Sequence, residues 1–327
     1  MEYRVLGRTG VKVSQLCFGT MSFGDTADEA ESARMFERCR DVGINFFDCA
    51  NVYAGGRSEE ILGRLMASSR DELVITSKVA SQMGAGLNDR GMSRRHIQMQ
   101  VEGSLRRLNT DRIDVYFLHH FDQDTPIEAT LRALDDLVHQ GKILYPAVSN
   151  WAAWQIALAL GVSTYEGLAR IDCIQPMYNL VKRQAEVEIF PLAEAEQIGV
   201  IPYSPLGGGL LTGKYTAAQK PDVGRLVDSS MYAKRYGEDS YYEIAANFTA
   251  YAHESGYHPT TLAVAWTMTH PAVTAPIIGA RNLEQLEDSL AALEVEMTPE
   301  WRAEISALSY EPPPAHDRLE ETRKTGS

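Results

Sequence analysis

Eight short runs of apolar residues, rich in β-branched and aromatic types, recur along this chain with room for a helix between most successive pairs, and that alternation limits the folds open to it. The runs are Leu16–Gly19, Ile44–Asp48, Leu73–Lys78, Ile113–Leu118, Ile143–Val148, Cys173–Gln175, Val200–Tyr203 and Val273–Ile278. Most are almost continuously apolar, as strands covered on both faces of a parallel sheet are. Between them apolar residues fall at helical spacing, as in Ile97, Val101, Leu105 and Leu108, in Leu131, Leu134 and Val138, and in Leu283, Leu286 and Leu290. The pattern predicts an α/β protein built as a (β/α)8 barrel, one domain over residues 1–327. An open doubly wound sheet is the alternative. Its dinucleotide-binding form needs G-x-G-x-x-G after the first strand, where this chain has Thr20-Met21-Ser22-Phe23-Gly24.

Two stretches break the rhythm. Gly207 to about Ser240 is rich in Gly, Lys, Asp and Tyr and is read as an extended lid-like loop after the seventh strand, before a helix near Tyr242–Glu254. After Leu308, Pro312-Pro313-Pro314 ends helical structure and leaves a charged, loosely held tail. The net charge of -13 and the lack of any dense Lys/Arg block argue against a nucleic-acid partner. Glu2, Arg4 and Arg8 interrupt the N-terminus where a secretory signal would be apolar, and no run is long enough to span a bilayer, so a cytoplasmic protein is expected. Cys17, Cys39, Cys49 and Cys173 are scattered and form no C-x-x-C pair, which fits reduced thiols rather than a disulfide framework or structural zinc.

In such a barrel catalytic groups stand at the C-terminal ends of strands. Taken to their ends, the runs deliver Asp48, Lys78, His119, Ser149 and Asn150, Gln175, and Tyr203 and Ser204. Each has an ordinary reading alone: an Asp that caps a helix, a Lys that snorkels to water, a hydrogen-bonded core His. Their joint placement at one mouth points to chemistry. His119-His120 with Asp122 suggests a metal cluster, but neighbouring residues on a strand face opposite ways, so no metal site is expected. Tyr232, Tyr236, Tyr241 and Tyr242 fit a pocket lining or helix packing equally well, and Cys49 reads as a small buried apolar residue.

Asp48-Cys49-Ala50-Asn51-Val52-Tyr53, followed by Gly56-Arg57-Ser58-Glu59, resembles the D-x-A-x-x-Y…SE signature of the aldo-keto reductases, in their potassium-channel β-subunit-like and bacterial branches. The resemblance runs nearly end to end. Leu6-Gly7-Arg8-Thr9-Gly10 is similar to the family's amino-terminal hairpin, Gly19-Thr20-Met21 to its first strand, and Thr76-Ser77-Lys78 and Leu118-His119 to its lysine and histidine segments. It implies reduction of a small carbonyl compound by NADPH, with Tyr53 as general acid and Asp48, Lys78 and His119 around it. An ammonium about 4 Å from a phenol, at an effective dielectric of about 20, is worth about 4 kcal/mol, which predicts that Lys78 lowers the Tyr53 pKa by roughly three units.

The implied cofactor contacts start with Gly19, Thr20, Met21 and Asp48, and continue with Ser149, Asn150 and Gln175 on the carboxamide and Tyr203 stacked on the nicotinamide. Ser204, Pro205, Leu206 and Gly207 follow in the loop, with Lys214, Arg225 and Arg281 toward the phosphates. The run Pro276–Ser289, with Gly279, Gln285, Asp288 and Ser289, resembles the family's adenosine-phosphate clamp, except that many relatives carry Asn where this chain has Ser289. Two other classes compete: an NADPH-sensing regulatory subunit with slow turnover, and a metal-dependent barrel hydrolase. Aldehydes, quinones, keto-sugars and keto-steroids are all open as substrates, and the oligomeric state is not determined by sequence.

Overall fold

The structure is a computed structural model, and it describes residues 1–215 and 224–316; the side chain of Arg225 and the tail beyond 316 lie outside the described residues. A hairpin of β1 (Tyr3–Val5) and β2 (Lys12–Ser14) precedes eight parallel strands. These are β3 (Cys17–Gly19), β4 (Phe46–Asp48), β5 (Val74–Val79), β6 (Ile113–Leu118), β7 (Ile143–Ser149), β8 (Cys173–Gln175), β9 (Gly199–Val200) and β10 (Ile277–Ile278). Each of the eight runs read from sequence overlaps its strand; β5 and β7 extend one residue further, and β9 starts one residue earlier and stops at Val200 rather than Tyr203. The order in the sheet is β10-β3-β4-β5-β6-β7-β8-β9. The last seam closes through main-chain bonds from Thr274 N–H to Val200 O (2.8 Å) and Ile277 N–H to Pro202 O (2.8 Å), which makes the sheet a barrel.

The helices that cover it include α1 (Glu29–Asp41), α2 (Arg57–Leu65), α3 (Arg94–Leu108), α4 (Ile127–His139), α5 (Ala153–Glu166) and α6 (Ile189–Glu196). After β9 come α7 (Arg225–Asp228), α8 (Ser230–Tyr236), α9 (Asp239–Glu254) and α10 (Pro259–Met268), and after β10 come α11 (Leu283–Leu290) and α12 (Pro299–Ser306). The loop after β9 therefore carries two short helices, and 216–223 lie outside the described residues. Tyr232, Tyr236 and Tyr242 are buried, which decides for helix packing; Tyr241 is half-buried and accepts a hydrogen bond from Lys182 Nζ (2.7 Å).

Two cores follow from the two faces of the sheet. The larger fills the space between strands and helices. The smaller fills the barrel and takes one residue in two: Cys17, Phe46, Val74, Val115 and Phe117, Ala147, Cys173, Ile201, Ala275 and Ile277. Leu6 and Val13 of the hairpin join it and plug the end of the barrel opposite the mouth. Close contact there demands two glycines: a Cβ on Gly7, whose φ is +53°, would stand 2.6 Å from Gly199 N, and a Cβ on Gly199 would stand 2.4 Å from Leu6 Cδ1. This inward register positions the site. Two residues further along the same face come Gly19, Asp48, Thr76 and then Lys78, His119, Ser149, Gln175 and Tyr203.

Candidate active site

At the centre of the mouth Lys78 Nζ lies 2.6 Å from Asp48 Oδ2, and both side chains are almost fully buried. Lys78 also donates to Cys49 O (2.8 Å) and to the Tyr53 hydroxyl (3.3 Å). The other carboxylate oxygen of Asp48 accepts from Thr76 Oγ1 (2.8 Å) and Gln175 Nε2 (2.9 Å). Asp48 is thus held from two other strands, β5 and β8, and it holds the ammonium against the phenol. Asp48, Tyr53 and Lys78 are joined directly. His119 comes close without bonding to them, its ring centroid 6.1 Å from that of Tyr53.

Burial, the largest influence, pushes the Tyr53 phenol up to about 12, with Asp48 adding to it and Lys78 only partly offsetting it. The three-unit lowering expected from Lys78 alone is therefore reversed: desolvation of the phenolate outweighs the nearby ammonium, and the hydroxyl keeps its proton through the neutral range. Burial alone would pull Lys78 down, but Asp48 and Tyr53 hold it above the usual lysine range. His119 is pulled down to about 3 by burial, then by Lys78 and His120, so its ring is neutral. Its neighbour does not turn away as strand alternation predicts, because β6 ends at Leu118; the two imidazoles stack with centroids 6.5 Å apart. Among the described residues no group of three or more His, Cys, Asp and Glu is arranged to hold a metal ion.

The neighbouring row is bonded in sequence. Tyr203 donates from its hydroxyl to Asn150 Oδ1 (2.7 Å), Asn150 Nδ2 donates to His119 O (2.9 Å) and Ser149 Oγ (3.0 Å), and Ser149 Oγ donates to Gln175 O (2.9 Å). Thr20 N–H and Oγ1 both donate to Asp48 O, while Met21 is exposed on the rim. Ser204 (φ +59°) turns the chain into Pro205, Leu206 and Gly207.

Farther out, Arg281 N–H donates to Gln285 Oε1 (3.2 Å) at the start of α11, and the Arg281 charge acts on Tyr215, which adjoins Lys214. Lys214 Nζ lies 5.3 Å from the Tyr215 ring centroid. Gly279 is exposed, and Ser289 Oγ is buried with no partner among the described residues. Asp288 faces α10 instead, with its carbonyl accepting from Thr261 Oγ1 (2.7 Å) and its carboxylate 3.8 Å from His258. The side chain of Arg225 lies outside the described residues.

Comparison with known proteins decides the lineage: residues 15–309 match the aldo/keto reductase family. The chain belongs to the aldo/keto reductases. It is 38% identical over 312 residues to an oxidoreductase of Bacillus subtilis, covering 92% of this chain and 93% of that one. A probable voltage-gated potassium channel subunit beta of Oryza sativa is 37% identical over 322 residues, 96% and 98% of the two chains. Versiconal hemiacetal acetate reductase of Aspergillus parasiticus is 31% identical over 330 residues, 92% and 94%. This aldo/keto reductase is an oxidoreductase. Among its described residues no helix is long and apolar enough to cross a membrane.

Other parts of this aldo/keto reductase site are named in the sequence only as members of motifs, without a role. Thr76 had a usable signal, since it sits two residues before Lys78 and shares its face of β5. The Ser58-Glu59 pair acts from behind. Ser58 Oγ donates to Thr20 O (2.7 Å), and fully buried Glu59 accepts from Ser77 Oγ and from Arg107 Nε (2.7 Å), which ties α2 to β5 and α3. Cys49 is buried, with its thiol pushed up to about 12 by burial above all.

The neutral histidines make folding sensitive to acid. His270 is lowered to about 4, chiefly by burial, and its Nδ1 accepts from Ala272 N–H (3.1 Å). Because His119 and His270 have folded values below the ordinary 6.5, the unfolded chain takes up protons first as pH falls, and stability is lost below about 6.5. We expect a loss of about 1–1.5 kcal/mol per histidine between pH 7.5 and 5.5, read as a fall in the urea midpoint. A midpoint that holds or rises over that range contradicts it.

Proposed function

We propose that this protein reduces an aldehyde or ketone to an alcohol with NADPH, Tyr53 giving the proton. The observation that carries this reading is the Tyr53 hydroxyl at 3.3 Å from Lys78 Nζ, itself clamped at 2.6 Å by Asp48, in the mouth of the barrel. A phenol that stays protonated at neutral pH, beside a fixed ammonium, is equipped to hand over its proton as negative charge develops on a carbonyl oxygen. Neutral His119 carries one ring N–H, and a donor on that side orients the carbonyl and stabilises the same charge.

The residues present fit a nicotinamide dinucleotide. The Tyr203 ring offers a platform at the mouth, and Gln175 Oε1 is not engaged by any described residue. The orphaned Ser289 hydroxyl and the Arg281–Lys214 region supply a donor and cations for the adenosine-phosphate end. When bound, the cofactor supplies the hydride that no side chain can. Asn150 gives both amide hydrogens to His119 O and Ser149 Oγ, so it holds Ser149 and Tyr203 in place, and its Oδ1 keeps a second lone pair for the carboxamide.

Loss of NADPH absorbance with aromatic aldehydes, quinones and keto-sugars tests the reading, and we expect turnover with at least one class and weaker binding of NADH. No turnover with any carbonyl sinks it. The likeness to a potassium channel β subunit favours a second reading, a cofactor-sensing subunit. Tight NADPH binding without turnover would select that one.

A further inference from the structure

Past the end of β5 the chain takes an unusual step. Ala80 is buried at a φ of +112°, a region L-residues rarely enter, and its carbonyl is held by Gly91 N–H (2.8 Å). Strain of this kind next to a reactive centre has to be held in place by its surroundings and points to a local task. Its outcome here is that Ser81 faces the end of the next strand, with Oγ 3.4 Å from His119 Nδ1. No other described group bonds either ring nitrogen of His119, and Nε2 is not buried.

A neutral imidazole carries its proton on one nitrogen, and the partner of the other nitrogen decides which. The Ser81 hydroxyl hydrogen has no other acceptor among the described residues. If Ser81 donates to Nδ1, that hydrogen is used and the ring proton stands on Nε2, toward the mouth. In the opposite tautomer Nδ1–H donates to Ser81 Oγ instead, the Ser81 hydrogen is left to solvent, and Nε2 presents a lone pair, which repels a developing alkoxide. We propose that Ser81 is a positioning residue that fixes the Nε2–H tautomer of His119, and that Ala80 accepts its strained conformation to place it there. The proposal rests on the reductase reading for its effect on rate, and on the Ser81–His119 contact alone for its effect on the tautomer.

The test is a comparison of ring-nitrogen chemical shifts in isotopically labelled full-length protein, with His119→Asn used to assign the signals. The native ring should show a protonated Nε2 and an unprotonated Nδ1. Ser81→Ala should move both toward the averaged values of mixed tautomers and lower kcat about three- to tenfold, the worth of one neutral hydrogen bond, with KM for the carbonyl changed less than about twofold. Ser81→Thr, which keeps the hydroxyl, should restore both. Unchanged nitrogen shifts in Ser81→Ala overturn the proposal, as does an unchanged kcat. The shifts are read without substrate, so a native protein that turns over no carbonyl strikes the reductase reading and is told apart from a failure of the tautomer assignment.

Discussion

Tyr53→Phe is expected to lower carbonyl turnover at least about a hundredfold while leaving NADPH affinity within about twofold of native. The substitution removes one oxygen. The ring stays packed beside His119, and the Lys78–Asp48 pair keeps its 2.6 Å contact, so only the proton donor is lost. Lys78 still has Asp48 to hold its proton against burial, which makes it a reluctant donor. Turnover by Tyr53→Phe within tenfold of native, measured by NADPH absorbance at saturating cofactor, would remove Tyr53 from the acid role.

Asp48→Ala should be the most destabilising single change in the site. Lys78 is fully buried, and without the carboxylate its charge keeps only Cys49 O and the Tyr53 hydroxyl as partners. Breaking a buried pair on one side costs about 3–5 kcal/mol, because a desolvated charge remains. The lysine escapes part of that cost by giving up its proton, since burial then pulls its pKa down unopposed by Asp48. Asp48→Leu with Lys78→Met replaces both charges by apolar groups and should recover most of the stability while remaining inactive. The urea midpoints of the single and double variants check this. A single variant as stable as native, or a double variant less stable than the single, would show that the pair does not govern local stability.

Much of this architecture is legible without coordinates because strand periodicity is a local property. Each apolar run overlaps its strand, and counting in twos from Phe46, Val74, Cys173 and Ile201 arrives at Asp48, Thr76 and Lys78, Gln175 and Tyr203 on the inward face. Asp48, Lys78, Gln175 and Tyr203 could be assigned to one mouth for that reason, whereas Tyr53 lies beyond β4 and is named only through the resemblance. The reading failed where it carried strand rules past the end of a strand: His119 and His120 lie beyond β6, and their rings stack instead of diverging. The Asp288 side chain shows the same limit on a helix, where spacing names the face but not the partner, here His258.

The sequence by itself determined the barrel, the order of its strands and the residue types gathered at one mouth, because each depends on a repeat that a few neighbouring residues specify. Tertiary structure alone decided the proton chemistry. Whether Lys78 lowers the Tyr53 pKa depends on how far the site is desolvated, and burial there reverses the pairwise expectation. Whether Ser81 meets His119 depends on the pairing of β5 with β6, which sets Val79 beside Leu118, together with the turn of the backbone at Ala80. Charge, burial and hydrogen bonding at a point in space are sums over residues far apart in the chain, and no local pattern carries those sums.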